Sequence, residues 1–230
     1  MNIGGIQKLT LLDYPEKTAC TLFTVGCNFR CPFCQNSSLI DESSDMQKQS
    51  ASEILSFLQT RQGKLDGVCI SGGEPLINEN LVAFIHEVKA LGFLVKLDTN
   101  GSFPQKLEKL LTTGMIDYVA MDIKNSPEKY AETIGVPDYN IVPIEESIKL
   151  LCSGLISHEF RTTVVREYHT ADDLVSIARW LSGAKKYYLQ GFINSDGVVK
   201  KGLNGYSKEE MEKILQSVKA VLPTAELRGI

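Results

Sequence analysis

The chain has 230 residues, of which 43% are hydrophobic and 23% are charged, and its formal net charge is −4. These values suit one large globular domain, and the lack of a basic block argues against a nucleic acid as the main partner. Because no signal-peptide pattern begins the chain and no apolar run approaches membrane-spanning length, we expect a cytoplasmic protein with no membrane partner.

Strands and helices are predicted to alternate along the chain. Strands are predicted at 18–25, 68–71, 93–97, 118–123, 160–165 and 186–190, and 225–227 is either a short strand or a tail. Helices are predicted at 50–61, 80–91, 104–111, 145–152, 171–181 and 207–221, and a polar, Ser-rich loop at 35–49. This order predicts an α/β fold with a parallel sheet. Six units rather than eight predict a partial (β/α)6 barrel of the TIM type, open on one side.

We expect residues 1–230 to form a single domain. Its core would span about 18–195, and 196–230 would add a C-terminal helix and tail. Alternation of side chains along a strand predicts which residues face the helices. Odd-numbered positions of the fourth strand are apolar, whereas Asp122 and Lys124 share the other face. The third strand places Lys96 and Asp98 together in the same way, so the polar face is expected to line the barrel interior.

Unusual polar residues gather where successive predicted strands end. A cysteine loop follows the first strand, and Gly72-Gly73-Glu74-Pro75 follows the second. Asp98-Thr99-Asn100-Gly101 ends the third strand, and Asp122 with Lys124 ends the fourth. The carboxyl ends of parallel barrel strands form the face that carries active sites. We therefore expect these four segments to build one site together.

Three cysteines lie within the first of these loops, in the spacing C-x-x-x-C-x-x-C. Each cysteine sulfur can bind one iron, so three thiolates would leave one iron of a four-iron cluster open to another ligand. A zinc site with a remote fourth ligand is the alternative. The cluster candidates are Cys27, Cys31 and Cys34, and the scattered Cys20, Cys69 and Cys152 are expected to be buried structural thiols.

The cysteine run followed by Gly-Gly-Glu-Pro resembles the radical S-adenosylmethionine (SAM) superfamily. That resemblance implies a [4Fe–4S] cluster held by Cys27, Cys31 and Cys34. It also implies SAM as second cofactor, which the reduced cluster cleaves to methionine and a 5′-deoxyadenosyl radical that abstracts hydrogen. Among the residues near the cysteines, Phe33 would lie by the adenine, and Gln35 is a further cofactor-binding candidate.

The resemblance assigns roles to the other strand ends as well. Gly72 and Gly73 would offer backbone groups to the methionyl amine, with Glu74 in the same loop. Similarity to glycyl-radical-enzyme activases implies that further residues surround the methionine carboxylate and the ribose, in part through a monovalent cation near Asp98 and Asp122. These candidates are Asp98, Thr99, Asn100, Asp122, Lys124 and Arg161.

Each of these assignments has a structural alternative. Gly72 and Gly73 could form a simple turn, and Glu74 could orient its loop without touching a ligand. Asp98 could cap a helix or serve a loop role. Asp122 and Lys124 could form a structural ion pair, and Arg161 an ordinary surface salt bridge. These alternatives stay open at this point.

The segments 11–15, 27–36 and 97–101 together resemble the activating proteins of anaerobic ribonucleoside-triphosphate reductases, over roughly residues 1–195. The implied substrate is a glycine of a partner reductase, and the implied electron donor is flavodoxin or a similar protein. One alternative keeps the chemistry and changes the partner to pyruvate formate-lyase or another glycyl radical enzyme. A non-catalytic iron–sulfur carrier is an alternative of another class.

Overall fold

Eight strands form one sheet in the computed structural model, which describes residues 1–41 and 48–230. The strands are β1 (Ile3–Thr10), β2 (Ala19–Thr24), β3 (Gly67–Gly72), β4 (Leu94–Thr99), β5 (Tyr118–Asp122), β6 (Ser157–Val164), β7 (Tyr187–Gly191) and β8 (Ala225–Arg228). They lie in chain order, with β1 antiparallel to β2 and every later pair parallel. β1 and β8 stand at the two ends of this order.

Seven α-helices accompany the strands in the described part of the chain. They are α1 (Ala51–Gln59), α2 (Leu81–Ala90), α3 (Pro104–Thr112), α4 (Tyr130–Ile134), α5 (Val142–Cys152), α6 (Ala171–Trp180) and α7 (Lys208–Lys219). Among the described residues, none of the helices has the length and apolar character needed to cross a membrane. The predicted polar loop at 35–49 includes residues 42–47, which lie outside the described residues.

The α/β class and the parallel arrangement are confirmed, but two strands extend the sheet beyond the six that were predicted. β1 was not predicted, because its glycines and polar residues interrupt the apolar pattern; it pairs through Ile6 and Leu22. β8, left open as a strand or a tail, pairs with β7 through Ala225 and Tyr187. An edge strand buries less of its surface than a central strand, so its hydrophobic signal in sequence is weaker.

The segment between β5 and β6 differs most from the prediction. The short helix α4 was not predicted, and it ends at Gly135, which adopts a left-handed φ of 66°. A Cβ on Gly135 would lie 2.5 Å from the carbonyl oxygen of Arg30, so glycine allows the end of α4 to approach the cysteine loop. α5 begins at Val142, three residues before the predicted start, and the Asn140 side chain accepts its N–H at 3.1 Å.

The predicted helix starts at Ser50 and Ser207 are confirmed. The Ser50 hydroxyl accepts the N–H of Glu53, and the Glu53 carboxylate accepts the N–H of Ser50 in return. Ser207 and Glu210 make the same reciprocal pair at α7. Such caps satisfy N–H groups that a helix cannot pair internally and contribute about 1 kcal/mol each.

The alternation of faces in the central strands is confirmed. Val119, Met121 and Ile123 are fully buried in the apolar core. Lys96 and Asp98 share the opposite parity on β4, and they form an ion pair with each other. The carboxyl end of the sheet therefore carries a buried polar layer next to the apolar core.

The cysteines outside the cysteine loop occupy two environments. Cys20 and Cys69 are fully buried, as expected for structural thiols. The expectation was wrong for Cys152, which is only partly buried because it occupies the last position of α5.

Candidate functional site

The cysteine loop leaves β2 and is held by backbone hydrogen bonds to two other segments. The N–H of Cys27 donates to the carbonyl of Ile40 at 3.0 Å, and the N–H of Arg30 donates to the carbonyl of Ile134 at 2.8 Å. The Arg30 guanidinium also donates to the carbonyl of Cys27 at 2.6 Å. These contacts keep the loop at the carboxyl end of the sheet, next to the end of β3.

The thiols of Cys27, Cys31 and Cys34 line one cleft, and none of the three is in a disulfide. Within residues 1–41 and 48–230, no three His, Cys, Asp or Glu side chains converge as ligands of a single ion. In an iron–sulfur cluster each thiolate binds a different iron, so three thiols on one wall of a cleft suit that donor set.

Burial raises the pKa of Cys27, and it raises the pKa of Cys31 to about 12, while the nearby Lys124 ammonium lowers both. Only the thiolate binds a metal, so ligation must release these protons. The N–H of Phe29, which donates to the sulfur of Cys27, favours this release at Cys27, and the charge on Lys124 favours it at both thiols.

Gly72 and Gly73 bring the end of β3 against the backbone that precedes Cys27. A Cβ on Gly72, whose φ is 116°, would lie 2.3 Å from the amide nitrogen of Thr24. A Cβ on Gly73 would lie 2.0 Å from the carbonyl oxygen of Gly26. The structure thus gives these glycines a packing role that the sequence interpretation lacked, because that interpretation explained them by the approach of a ligand.

The backbone N–H groups after β3 are already paired. Gly73 donates to the carbonyl of Thr24 at 2.9 Å, and Glu74 donates to the carbonyl of Gly26 at 2.8 Å. An amine placed beside this segment needs acceptors, and the carbonyl oxygens of the segment are the groups of the right polarity.

Glu74 lies beneath the cleft and is fully buried. Its carboxylate accepts hydrogen bonds from the N–H of Leu76 at 3.0 Å, the hydroxyl of Thr99 at 2.8 Å and the N–H of Asn100 at 2.6 Å. Burial raises the pKa of Glu74 to about 7. These contacts support the alternative in which Glu74 orients its loop and the end of β4.

Asn100 connects the end of β4 to the cysteine loop. Its side-chain N–H donates to the Asn28 side chain at 3.0 Å, and its side-chain oxygen accepts the hydroxyl of Ser102 at 2.6 Å. Asn28 in turn donates to the Ser102 hydroxyl at 2.9 Å. The sequence interpretation gave no role to Asn28 or Ser102, because their contact joins positions far apart in the chain.

An alternating set of charges lies at the ends of β4, β5 and β6. Arg161 donates to Asp122 at 2.8 Å through Nε and to Asp98 at 3.2 Å through Nη1. Lys124 pairs with Asp122 at 3.1 Å, and Lys96 pairs with the other oxygen of Asp98. Arg161 is therefore part of a largely buried network rather than of a surface salt bridge.

The network keeps its carboxylates ionised. Burial opposes ionisation, but Arg161 and Lys124 lower the pKa of Asp122 to about 2. Arg161 and Lys96 likewise lower the pKa of Asp98. The opposing carboxylates raise the pKa of Arg161 and Lys124 despite burial. All of these side chains are thus charged across the physiological range.

Phe33 and Gln35 line the cleft beyond the second and third cysteines. The Phe33 ring lies 5.7 Å from the ring of Tyr168 and 5.9 Å from the ring of His169, measured between centroids. Gln35 donates to the carbonyl of Ile193 at 2.7 Å. Both side chains are thus fixed by residues of the segments that follow β6 and β7.

A segment after β7, residues 193–200, packs along the cysteine loop, and we call it the strap. The N–H of Val199 donates to the carbonyl of Cys34 at 3.2 Å, and the N–H of Lys200 donates to the carbonyl of Pro32 at 2.8 Å. The strap was missed as part of the site. Its sequence carries no motif, and it uses its own backbone groups in its hydrogen bonds to the cysteine loop.

Ser71 and Thr163 also line the cleft and were missed. Thr163 follows Arg161 by two positions on β6, so the alternation of faces could have identified it. Ser71 directly precedes Gly72 at the end of β3. All three cysteines, Phe33, Gln35, Gly72 and Gly73 line the same cleft, together with Asp98, Thr99, Asn100, Asp122 and Lys124. Glu74 and Arg161 lie behind that lining and contact its residues.

Comparison with known proteins places this cleft in a family. Residues 21–181 match the model of the Radical SAM superfamily. A relative from Methanocaldococcus jannaschii, named for glycyl-radical enzyme activation, is 32% identical over 199 residues, which cover 84% of this chain and 81% of the relative. The anaerobic ribonucleoside-triphosphate reductase-activating protein of Escherichia coli is 35% identical over 83 residues, which cover only 35% of this chain and 53% of that protein.

A solved structure shares the fold. The crystal structure of Streptococcus suis SuiB bound to S-adenosylmethionine superposes with a TM-score of 0.71 at 13% identity. The match covers 90% of this chain and 49% of SuiB, so the chain spans about half the length of that protein. The family match covers more than half of the chain and contains the three cysteines. The chain therefore belongs to the radical SAM superfamily of enzymes, which use a [4Fe–4S] cluster and S-adenosylmethionine.

Proposed function

We propose that this enzyme activates a glycyl radical enzyme by removing a hydrogen atom from a glycine of that partner protein. The observation that carries the proposal is the cleft in which three free thiols meet the polar ends of β3, β4 and β5. The M. jannaschii relative, named for this activity and similar over most of both chains, supports it. The sheet has two separate edges, β1 and β8, and a partner segment would reach the cleft between them.

Cys27, Cys31 and Cys34 would hold the cluster and leave one iron for SAM. When bound, the reduced cluster and SAM supply reductive cleavage of the sulfonium and the radical that abstracts hydrogen. The protein's own task is to hold both cofactors and the glycine in contact and to exclude water. Phe33, fixed by Tyr168 and His169, offers an apolar surface for the adenine.

The other strand ends would orient SAM. The carbonyl oxygens of Gly72 and Gly73 would accept hydrogen bonds from its amine, since the N–H groups of Gly73 and Glu74 are paired elsewhere. Lys124, at the cleft surface, would attract its carboxylate. Asp98, Thr99, Asn100 and Asp122 would complete this wall, with Glu74 and Arg161 positioning them from behind and Gln35 connecting the strap to the cysteine loop.

We further propose anaerobic ribonucleoside-triphosphate reductase as the partner and flavodoxin or a similar protein as the electron donor. The partial similarity to the E. coli activating protein supports this target. Pyruvate formate-lyase or another glycyl radical enzyme is the second candidate, because the cleft itself carries no feature that selects among such partners. A non-catalytic iron–sulfur carrier would not need a polar wall built from three further strand ends.

Cleavage of SAM tests the chemistry. The anaerobically reconstituted chain, reduced with dithionite, should convert SAM to 5′-deoxyadenosine. Cys31→Ala should abolish both the visible absorbance of the cluster and the product, whereas Cys152→Ala, at the end of α5, should retain both. Product formation that is equal in wild type and Cys31→Ala would contradict the enzyme assignment, and cluster transfer to an acceptor without SAM cleavage would favour the carrier.

Electron paramagnetic resonance tests the target. The reduced enzyme and SAM are mixed separately with purified anaerobic ribonucleotide reductase and with pyruvate formate-lyase. We expect the glycyl radical signal in the reductase alone. A signal in pyruvate formate-lyase alone would overturn the target and keep the activase function. SAM cleavage with no glycyl radical in either protein would exclude both proteins as targets of this enzyme.

A further inference from the structure

Asp98 and Asp122 are bridged by one guanidinium group. Arg161 reaches Asp122 through Nε at 2.8 Å and Asp98 through Nη1 at 3.2 Å. This is the pair of carboxylates near which the family resemblance predicts a monovalent cation. The contacts of the pair show whether such an ion fits.

Each carboxylate oxygen of the pair accepts at least one hydrogen bond from a side chain. One oxygen of Asp98 faces Lys96, and the other accepts from Arg161 and from the Ser71 hydroxyl at 3.1 Å. One oxygen of Asp122 accepts from Arg161, and the other accepts from Lys124 at 3.1 Å. A metal cation binds oxygen lone pairs, so an ion here would have to share these oxygens with positively charged N–H donors that are already in place.

The charges also oppose an additional cation. The two carboxylates are accompanied by three cationic groups, Lys96, Arg161 and Lys124. Lys96 is 1% exposed and Arg161 is 14% exposed, so solvent screens their charges poorly. A metal cation placed between the carboxylates would be repelled by these groups, whose combined positive charge already exceeds the negative charge of the pair.

The strand register places the guanidinium between the carboxylates. Arg161 on β6 lies beside Asp122 on β5, and Asp98 on β4 lies beside Ala120 on β5. β5 therefore lies between Asp98 and β6. Because the side chain of Ala120 is small, the long Arg161 side chain can extend across β5 to reach Asp98. The planar guanidinium has donors on two edges, which lets one side chain satisfy two carboxylates.

Arg161 does not line the cleft, although Asp98, Asp122 and Lys124 do. It contacts the carboxylates from β6, beneath the surface that a ligand would meet. This placement suits a residue that neutralises the negative charge of the cleft wall. It suits a residue that binds the methionine carboxylate less well.

We propose that Arg161 is the built-in counter-cation of the Asp98–Asp122 pair, and that this chain uses it in place of a bound monovalent metal ion. Arg161 is then a positioning residue that holds the ends of β4 and β5 together. Lys124 remains as the positive group at the cleft surface. The proposal requires no partner protein, so it can fail or hold independently of the activase function.

Thermal unfolding of the full-length chain tests the proposal without activity. The melting temperature is measured under reducing, anaerobic conditions in KCl, NaCl and choline chloride at equal ionic strength. Wild type should show the same Tm in all three salts. In Arg161→Gln the carboxylates lose their shared partner, and we expect K⁺ or Na⁺ to raise Tm by about 2–4 °C over choline. Arg166→Gln, which removes an exposed Arg paired with Glu210, should show no such selectivity.

Binding of SAM to the reconstituted enzyme gives a second readout. Its Kd for wild type should be the same in K⁺ and in choline. Arg161→Gln should bind SAM about tenfold more weakly in choline than in K⁺. A higher Tm or a lower Kd of wild type in K⁺ than in choline would overturn the proposal, since it would mean that SAM or the ion displaces Arg161. A folded Arg161→Gln protein without cation response would overturn it too; if that variant does not fold, the wild-type measurements decide alone.

Discussion

The carboxylate of Glu74 accepts a hydrogen bond of 2.6 Å from the backbone N–H of Asn100. It connects the loop after β3 to the end of β4, and both segments line the cleft. Because Glu74 is fully buried, its carboxylate has no contact with solvent. Two walls of the cleft thus depend on one carboxylate beneath them.

Glu74 makes the unfolding free energy depend on pH. Burial raises its pKa from 4.5 to about 7, so the folded chain retains a proton that the unfolded chain releases above about pH 4.5. This stabilisation is complete below about pH 4.5 and is lost as the pH rises to about 7, by up to ~3 kcal/mol. Urea unfolding between about pH 5 and about pH 8 should show the loss in wild type and not in Glu74→Gln. An equal loss of unfolding free energy in wild type and Glu74→Gln would show that Glu74 is not the group responsible.

Gly73→Ala should disturb the cysteine loop. The added methyl group would lie 2.0 Å from the carbonyl oxygen of Gly26, so the backbone before Cys27 must move. We expect a loss of about 1–3 kcal/mol in stability and a lower iron and sulfide content after reconstitution. Gly5→Ala is the matched control, since its nearest neighbour would be the Phe23 ring at 3.9 Å. Full cluster content in Gly73→Ala would show that the loop accommodates the methyl group.

Asp122→Asn should weaken SAM binding and leave the cluster intact. The substitution removes the negative charge between Arg161 and Lys124, so the wall of the cleft changes its charge and shape. We expect the Kd for SAM to rise about tenfold or more, measured by equilibrium dialysis on the reconstituted protein. Asp117→Asn, which loses the Lys89 contact at the opposite end of the sheet, should lower stability without changing Kd. Equal affinities in wild type and Asp122→Asn would remove Asp122 from the site.

Asn28→Ala should loosen the contact between the cysteine loop and β4. It removes the hydrogen bonds to Asn100 and Ser102 and leaves their partly buried groups without these partners. We expect a stability loss of about 1–3 kcal/mol and faster loss of the cluster on exposure to a chelator. Asn140→Ala, which removes an exposed contact to Val142, serves as the control. Identical rates of cluster loss in the two variants would assign Asn28 no role in holding the loop.

Much of the site was predictable because its residues sit at strand ends. The spacing of Cys27, Cys31 and Cys34 and the Gly-Gly-Glu-Pro segment are local patterns, and so is the alternation that separates Asp122 from Met121. Local patterns can be recognised in a sequence because residues close together in the chain obey the fixed geometry of a strand, helix or turn. They placed each of these segments at the carboxyl end of the sheet, where the structure finds them.

Contacts between distant segments were not predictable in the same way. Nothing in the local sequence of residues 193–200 indicates that their backbone packs on the cysteine loop. The antiparallel pairing of β1 also depends on β2 as a partner and carries little hydrophobic signal of its own. Such contacts are made by backbone groups that every residue carries, so side-chain patterns do not report them.

Motifs in the amino-acid sequence were sufficient to indicate the family and its cofactors. Three closely spaced thiols followed by a Gly-Gly-Glu-Pro segment resemble a known family, and that resemblance implies the cluster. The alternation of strands and helices predicts the α/β fold around it. The contacts of each polar residue became clear from the three-dimensional arrangement of the strands. It placed Glu74 beneath the cleft, and it placed Arg161 between two carboxylates that the sequence had associated with a metal cation. The physical reason is that charge neutralisation depends on which groups lie within a few ångströms in space, and Asp98 and Arg161 are brought together only by the register of three neighbouring strands.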